Sequence, residues 1–141
     1  MKERREAREL ALQVLYALDL CPESDTGDLL AYLVEERGGP EGAAGYARRL
    51  VETVLGHRDE IDALLSRHSA NWELKRMAAV DRNILRAAAA ELLFFADVPF
   101  RVVIDEAVEI AKRYGTDDSG KFVNGVIDAV HRARSPEPGT T

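Results

Sequence analysis

Between Val80 and Phe95 the chain reads VDRNILRAAAAELLFF, a segment that is apolar over most of a helical circumference. A helix of that kind persists in water only when other elements surround it. The segment therefore predicts a helical body with Val80–Phe95 as its central, buried element. The other segments have to supply the shell. Asp97-Val98-Pro99 ends the central helix, and Pro99 suits the first turn of the next one.

The remaining sequence carries helical rather than alternating periodicity. Ala7, Leu10, Ala11, Val14 and Leu18 form one stripe on a long helix from about Glu3 to Leu20. Pro22–Asp28 breaks it, and Asp25 or Thr26 can cap a second helix through Leu29, Leu30, Leu33 and Val34. Arg37–Gly45, glycine-rich with Pro40, reads as a loop. A third helix follows over Ala43–Gly56, and a fourth carries Ile61, Leu64 and Leu65. Trp72–Met77 is a short amphipathic piece ahead of the central helix. Val103, Ile104, Ala107, Val108 and Ala111 mark the next helix, stopped at Gly115. Asp117, Asp118 or Ser119 caps a last helix through Val123, Val126, Ile127 and Val130. No strand pattern and no internal repeat compete with this reading. We expect an all-α fold of six or seven helices, one domain over residues 1–134 with a tail over 135–141.

A chain of 141 residues buries roughly two-thirds of its unfolded surface, so it needs no disulfide, and the lone Cys21 could not form one internally. A single thiol suits a reducing compartment. The charged opening MKERREAREL is unlike a secretory signal, and no stretch approaches a membrane span. The expected location is cytoplasmic.

The net charge of −6 argues against a nucleic-acid partner only if charge is spread evenly. It is not. Residues 1–16 carry four basic side chains against three acidic, residues 112–134 carry five against three, and residues 17–111 carry a net −8. If the two ends meet in space, they make a positive surface that the whole-chain charge conceals.

Catalytic constellations are missing. His57, His68 and His131 lie in separate helices without ligand spacing, so neither a metal nor a cofactor is expected. Gly115–Lys121 spells the GxxxxGK of a phosphate-binding loop. Phe122 stands where the magnesium-binding Ser or Thr belongs, a helix precedes it instead of a strand, and Asp117 and Asp118 would repel phosphate. The chain is not expected to be an enzyme.

Residues off the apolar stripes remain. Tyr16 lies nearly opposite the first stripe, with Arg5, Glu9 and Leu12 on its side, either a base contact or part of a helix buried on both faces. Phe122 falls about 90° from the last stripe, beside Lys121 and near Asn124. It is either a ring able to stack an unpaired base or an ordinary core edge. Arg4, Arg5 and Arg8 can engage phosphates or simply solvate the helix start. Asp81, by contrast, shares the helical face of Ile84, Leu85, Ala88 and Leu92, and either answers the dipole of the central helix or meets a partner protein.

Three ordered blocks, RREARELALQVLYALDL, LKRMAAVDRNILRAAAAEL and DVPFRVVIDEAVEIAKRYGTDDSGKFVNGVID, resemble the NusB family over nearly the whole chain, KFVNGV being the most specific. The resemblance implies two small helical bundles sharing the long first helix. It implies a transcription antitermination factor that binds boxA, a short single-stranded element of nascent ribosomal RNA transcripts, together with the ribosomal protein NusE, and that joins NusA, NusG and RNA polymerase. Carried over by position, Arg4, Arg5, Arg8, Tyr16, Asp118, Lys121, Phe122 and Asn124 form the expected RNA surface. Glu73, Arg76, Asp81 and Arg82 form the expected NusE surface. Glu3 and Glu6 interrupt the arginine run usual in the family, which makes assistance by the partner more important. The alternative is a homodimeric protein-interaction module with its RNA surface masked or vestigial. Certain ribosomal-RNA cytosine methyltransferases carry the same module, but no cofactor-binding βα unit exists here.

Overall fold

The computed structural model describes residues 2–37, 41–69 and 73–134. Their elements are α1 (Lys2–Leu20), α2 (Thr26–Arg37), α3 (Glu41–Gly56), α4 (Arg58–His68), a 3-10 turn (Leu74–Arg76), α5 (Ala79–Phe94), α6 (Phe100–Tyr114) and α7 (Ser119–Arg134). The tail from residue 135 and Trp72 of the predicted amphipathic piece lie outside the described residues. The fold is all-α. No helix among the described residues is long and apolar enough to cross a membrane.

Helix α5 stands at the centre, as its composition requires. Asn83–Arg86 and Ala88–Glu91 are all buried, and α1, α3, α4, α6 and α7 pack around it. The alanines at 88, 89 and 90 let neighbouring helices approach closely on several sides. Helix α1 is buried on both faces: Ala7 to Leu12 form an unbroken buried run, followed by Val14 and Leu15. It packs on α2 and α3 on one side and on α5 on the other, so two small bundles share it.

Burying Arg8 and Glu9 on α1 and Asn83, Arg86 and Glu91 on α5 is tolerable because each of these is paired. Arg8 donates Nε and Nη2 to the two oxygens of Glu91, at 2.8 and 2.9 Å, and the Tyr46 hydroxyl of α3 donates to the same carboxylate. Asp19 accepts from Arg82 Nε and Nη2 and from Asn83 Nδ2. Arg86 grips Asp62 of α4 through Nε and Nη2. Arg8–Glu91 and Asp19–Arg82 fix α1 antiparallel to α5 and set its register.

Local signals set most helix ends. Asp25 Oδ1 accepts the Asp28 amide, capping α2 as predicted. Pro99 is the N-cap of α6, one residue ahead of its expected place. Helix α3 begins at Glu41, inside the segment read as a loop, because buried Ala43 and Ala47 anchor it despite two glycines. Gly115 does end α6, but with φ −99° it is not in a left-handed conformation. A Cβ there would come within 2.6 Å of the Ser119 Cβ and 2.8 Å of the Ala111 carbonyl oxygen, so crowding requires the glycine. Gly120 is explained similarly: a Cβ would lie 3.3 Å from Lys112 Cγ, where α6 and α7 touch. Gly125, in the middle of α7, meets nothing within 4 Å, and costs the helix about 1 kcal/mol relative to alanine.

Candidate nucleic-acid interface

Helix α6 organises the surface on which the two basic ends of the chain come together. Arg5 of α1 donates Nε and Nη2 to Glu106, and Glu9 of α1 accepts from Arg113 Nη1 at 3.0 Å and from the Tyr114 hydroxyl at 3.1 Å. Residue numbers rise together in these pairs, so α1 and α6 run in the same direction. On the other flank of α6, Gly120 of α7 sits against the Lys112 stem. Glu106 and Arg113 lie within roughly 20° of each other around α6, and Lys112 roughly 120° away. The basic heads of α1 and α7 are therefore joined through α6. Arg5 and Lys121 stand on two flanks of one helix, whose exposed Arg101, Asp105, Glu109, Lys112 and Arg113 run between them.

The head of α1 is more compensated than its arginine count suggests. Arg4 is exposed, with its guanidinium 4.1 Å from the centre of the Tyr46 ring. Arg5 is partly exposed and bound to Glu106. Its hydrogen bonds to Glu106 hold its pKa above the usual arginine value, and the same bonds hold the Glu106 carboxyl below the usual carboxylate range. Arg8, expected on phosphate, is 6 % exposed and committed to Glu91. Burial alone would lower its pKa, but the Glu91 hydrogen bonds outweigh that and raise it. It is a core ion pair, not a surface cation.

Glu9 is an unexpected hub. It is buried, yet Arg37 Nη2 from the end of α2 donates to it at 2.8 Å alongside Arg113 and Tyr114, joining three helices at one carboxylate. Arg5 and Glu9 stand at i,i+4 on α1, where they could pair with each other. Both reach across to α6 because multiply bonded partners there give charge-assisted hydrogen bonds. Leu12, one turn on, lines a small groove with Ile84, Ala88, Val103 and Ile110. Its free interior, about 20 Å³, holds roughly one water and no organic ligand.

Tyr16 is 38 % exposed, so α1 is central and still leaves this ring accessible. At the start of α7, Asp118, Lys121 and Asn124 are exposed. Phe122 is half-buried and packed against the core, a core edge with part of its ring outward. Ser119 Oγ accepts the Thr116 amide at 2.9 Å, tightening the turn between α6 and α7 that positions these residues. A helix and a turn, and no strand, precede Gly120 and Lys121 of the GxxxxGK spelling.

The second group gathers around the 3-10 turn and the first turn of α5. Glu73 and Arg76 are exposed around the 3-10 turn. Arg82, beyond its pair with Asp19, donates Nη1 to the carbonyls of Leu74 and Met77 at 3.1 Å, fastening that turn to α5. It is a structural clamp whose guanidinium is largely enclosed. Asp81 Oδ1 is buried without a hydrogen-bond partner among the described residues.

An all-helical body, polar-paired at its core and carrying exposed cations on a rim around α6, defines a helical binding protein. Comparison with known proteins narrows that class. The family model described as the NusB family matches residues 5–132, and the chain belongs to the NusB family. The Transcription antitermination protein NusB of Desulfitobacterium hafniense (strain DSM 10664 / DCB-2) is 50 % identical over 128 residues, 90 % of this chain and 86 % of that protein. The solved structure of T. maritima NusB superposes with a TM-score of 0.86 at 41 % identity, covering 94 % of this chain and 93 % of that one. A structure of the antitermination factors NusB and NusE in complex with dsRNA superposes with a TM-score of 0.85 at 36 % identity, covering 94 % and 98 %. The chain is a transcription antitermination protein and not an enzyme.

Proposed function

We propose that this protein binds the single-stranded boxA element of nascent ribosomal RNA transcripts jointly with the ribosomal protein NusE, and that the pair acts with NusA, NusG and RNA polymerase in the cytoplasm to carry transcription past terminators. The observation that carries the RNA part is the head of α7. Exposed Lys121 and Asn124 flank a half-buried Phe122, on the side of α6 that also exposes Lys112. A ring fixed at the core edge can stack an unpaired base with little loss of side-chain freedom, while the cations neutralise phosphate and the amide reads a base edge. Arg4, Arg5 and Tyr16 extend the same surface along α1, and Asp118 borders it. Support for the partner comes from the NusB–NusE–RNA complex of a related chain.

The NusE surface is the 3-10 turn and the first turn of α5, with Glu73, Arg76 and Asp81 as contacts and Arg82 holding the turn in place. The acidic middle of the chain attracts a basic ribosomal protein at long range, while RNA is held by local cations. A net charge of −6 is compatible with both tasks.

The test is a titration of labelled boxA RNA with wild-type protein, Arg5→Glu and Phe122→Ala, each with NusE present, at two salt concentrations. Both variants should lose affinity by an order of magnitude or more. Unchanged affinity in either would reject the RNA face.

A further inference from the structure

We propose that Gly125 is an RNA-contact residue, leaving the backbone of α7 uncovered so that a ribose or base lies directly on the helix between Lys121 and Asn124. The proposal rests on the reading of the head of α7 as the RNA face. Glycine is among the poorest residues for a helix interior, so one at the middle of a sixteen-residue helix needs a reason. The fold supplies that reason for Gly115 and Gly120, where a Cβ would collide with Ser119 or press on Lys112. It supplies none for Gly125, which is exposed and would point a Cβ into open space. Gly45 and Gly56 of α3 are open as well, the first in the opening turns of its helix and the second its last residue.

Its surroundings say what the space is for. Lys121 is one turn before it and Asn124 adjacent, both exposed, while Phe122 lies three residues back. The carboxylate one turn on, Asp128, is engaged by Arg132 at 3.0 Å, which blunts its repulsion of phosphate. A protein helix packing here would want apolar flanks, but Val123, Val126 and Ile127 are all turned into the core. What remains outward is a polar, donor-bearing surface with a bare patch of backbone, suited to a flat sugar or base whose phosphate reaches the lysine. A side chain at 125 would hold that sugar or base off the helix and lengthen every hydrogen bond that Asn124 makes.

The consequence separates stability from binding. Gly125→Ala should raise the melting temperature by about 3 °C, because the helix improves and nothing clashes. The same change should weaken binding of a labelled single-stranded boxA RNA about ten-fold, and Gly125→Leu should weaken it further, both without NusE and with it. Lys121→Ala, measured in parallel, reports on the face itself. If Lys121→Ala weakens RNA binding while both Gly125 variants bind like wild type, the proposal falls and the RNA face stands. If Lys121→Ala also binds like wild type, the face is wrong and the proposal goes with it. Loss of NusE binding with RNA binding intact would assign the bare patch to protein and overturn the proposal too.

Discussion

Arg5 Nε and Nη2 each donate to one carboxylate oxygen of Glu106, at 2.8 Å, from helices far apart in the chain but side by side in the fold. The Arg5 side chain is 41 % exposed and that of Glu106 20 %, so solvent screens the pair and it adds at most about 1 kcal/mol to stability. Its larger effect is on the surface field. A guanidinium bound at two of its donors by a carboxylate has less to offer a phosphate, and the acid repels the RNA that the arginine attracts.

Glu106→Gln should therefore raise affinity for boxA RNA several-fold at low salt. The salt dependence should steepen, since one more phosphate becomes effectively neutralised and each contributes about 0.7 to the slope for single strands. Filter retention across a salt series measures both. A fall in affinity would mean that Glu106 orients Arg5 rather than competing for it.

Arg8 and Glu91 make the opposite kind of pair, with both side chains almost fully enclosed. Arg8→Ala leaves a buried carboxylate and should cost about 3–5 kcal/mol in urea unfolding. Arg8→Met combined with Glu91→Gln should recover more than half of that loss, because the uncompensated charge is gone and the Tyr46 hydroxyl keeps an acceptor. An Arg8→Ala protein as stable as wild type would contradict the core assignment.

Asp19 gives the fold an acid-sensitive joint. Burial pushes its carboxyl up, but hydrogen bonds from Arg82 and Asn83 outweigh this and hold it below the ordinary value. A depressed folded-state pKa stabilises the protein fully above the unfolded carboxylate range, near pH 4, and the contribution is lost as pH falls through the folded value. Glu106, depressed by Arg5, acts in the same sense. Asp19→Asn should thus be less stable than wild type at pH 7 and lose less on acidification to pH 3. Parallel unfolding curves for the two proteins over that range would refute the coupling.

Asp81 should separate binding from folding. Its Oδ1 is buried with no partner among the described residues, so removing it relieves a desolvated acceptor. Asp81→Ala should leave the melting temperature within about 2 °C of wild type, yet weaken NusE binding by ten-fold or more in calorimetric titration. Wild-type affinity would remove Asp81 from the partner surface.

Much of the fold was legible along the chain because helical periodicity is a local signal. The encircled Val80–Phe95 segment announced its central place, and Asp25, Pro99 and Gly115 marked helix ends, although it is crowding by Ser119 and not a left-handed backbone that requires the glycine. The start of α3 at Glu41 rather than Ala43 was not legible, since buried Ala43 and Ala47 outweigh Gly42 and Gly45 once α1 lies against them. At the candidate site the sequence singled out Lys121, Phe122 and Asn124 from their offset to the last stripe, yet left open whether Phe122 was core or surface. It is partly both.

The arginines show where such reading ends. Arg4, Arg5 and Arg8 are near neighbours of one residue type, and composition treats them alike. Only the packing of α1 against α3, α5 and α6 sends the first over a tyrosine ring, the second to a mostly buried glutamate and the third into the core. Helix existence and the apolar faces follow from residues three or four apart, so the sequence determines them. Which carboxylate each cation meets depends on partners up to about a hundred positions away, brought together by burial of apolar surface that does not itself discriminate among charges; that assignment belongs to the tertiary structure alone.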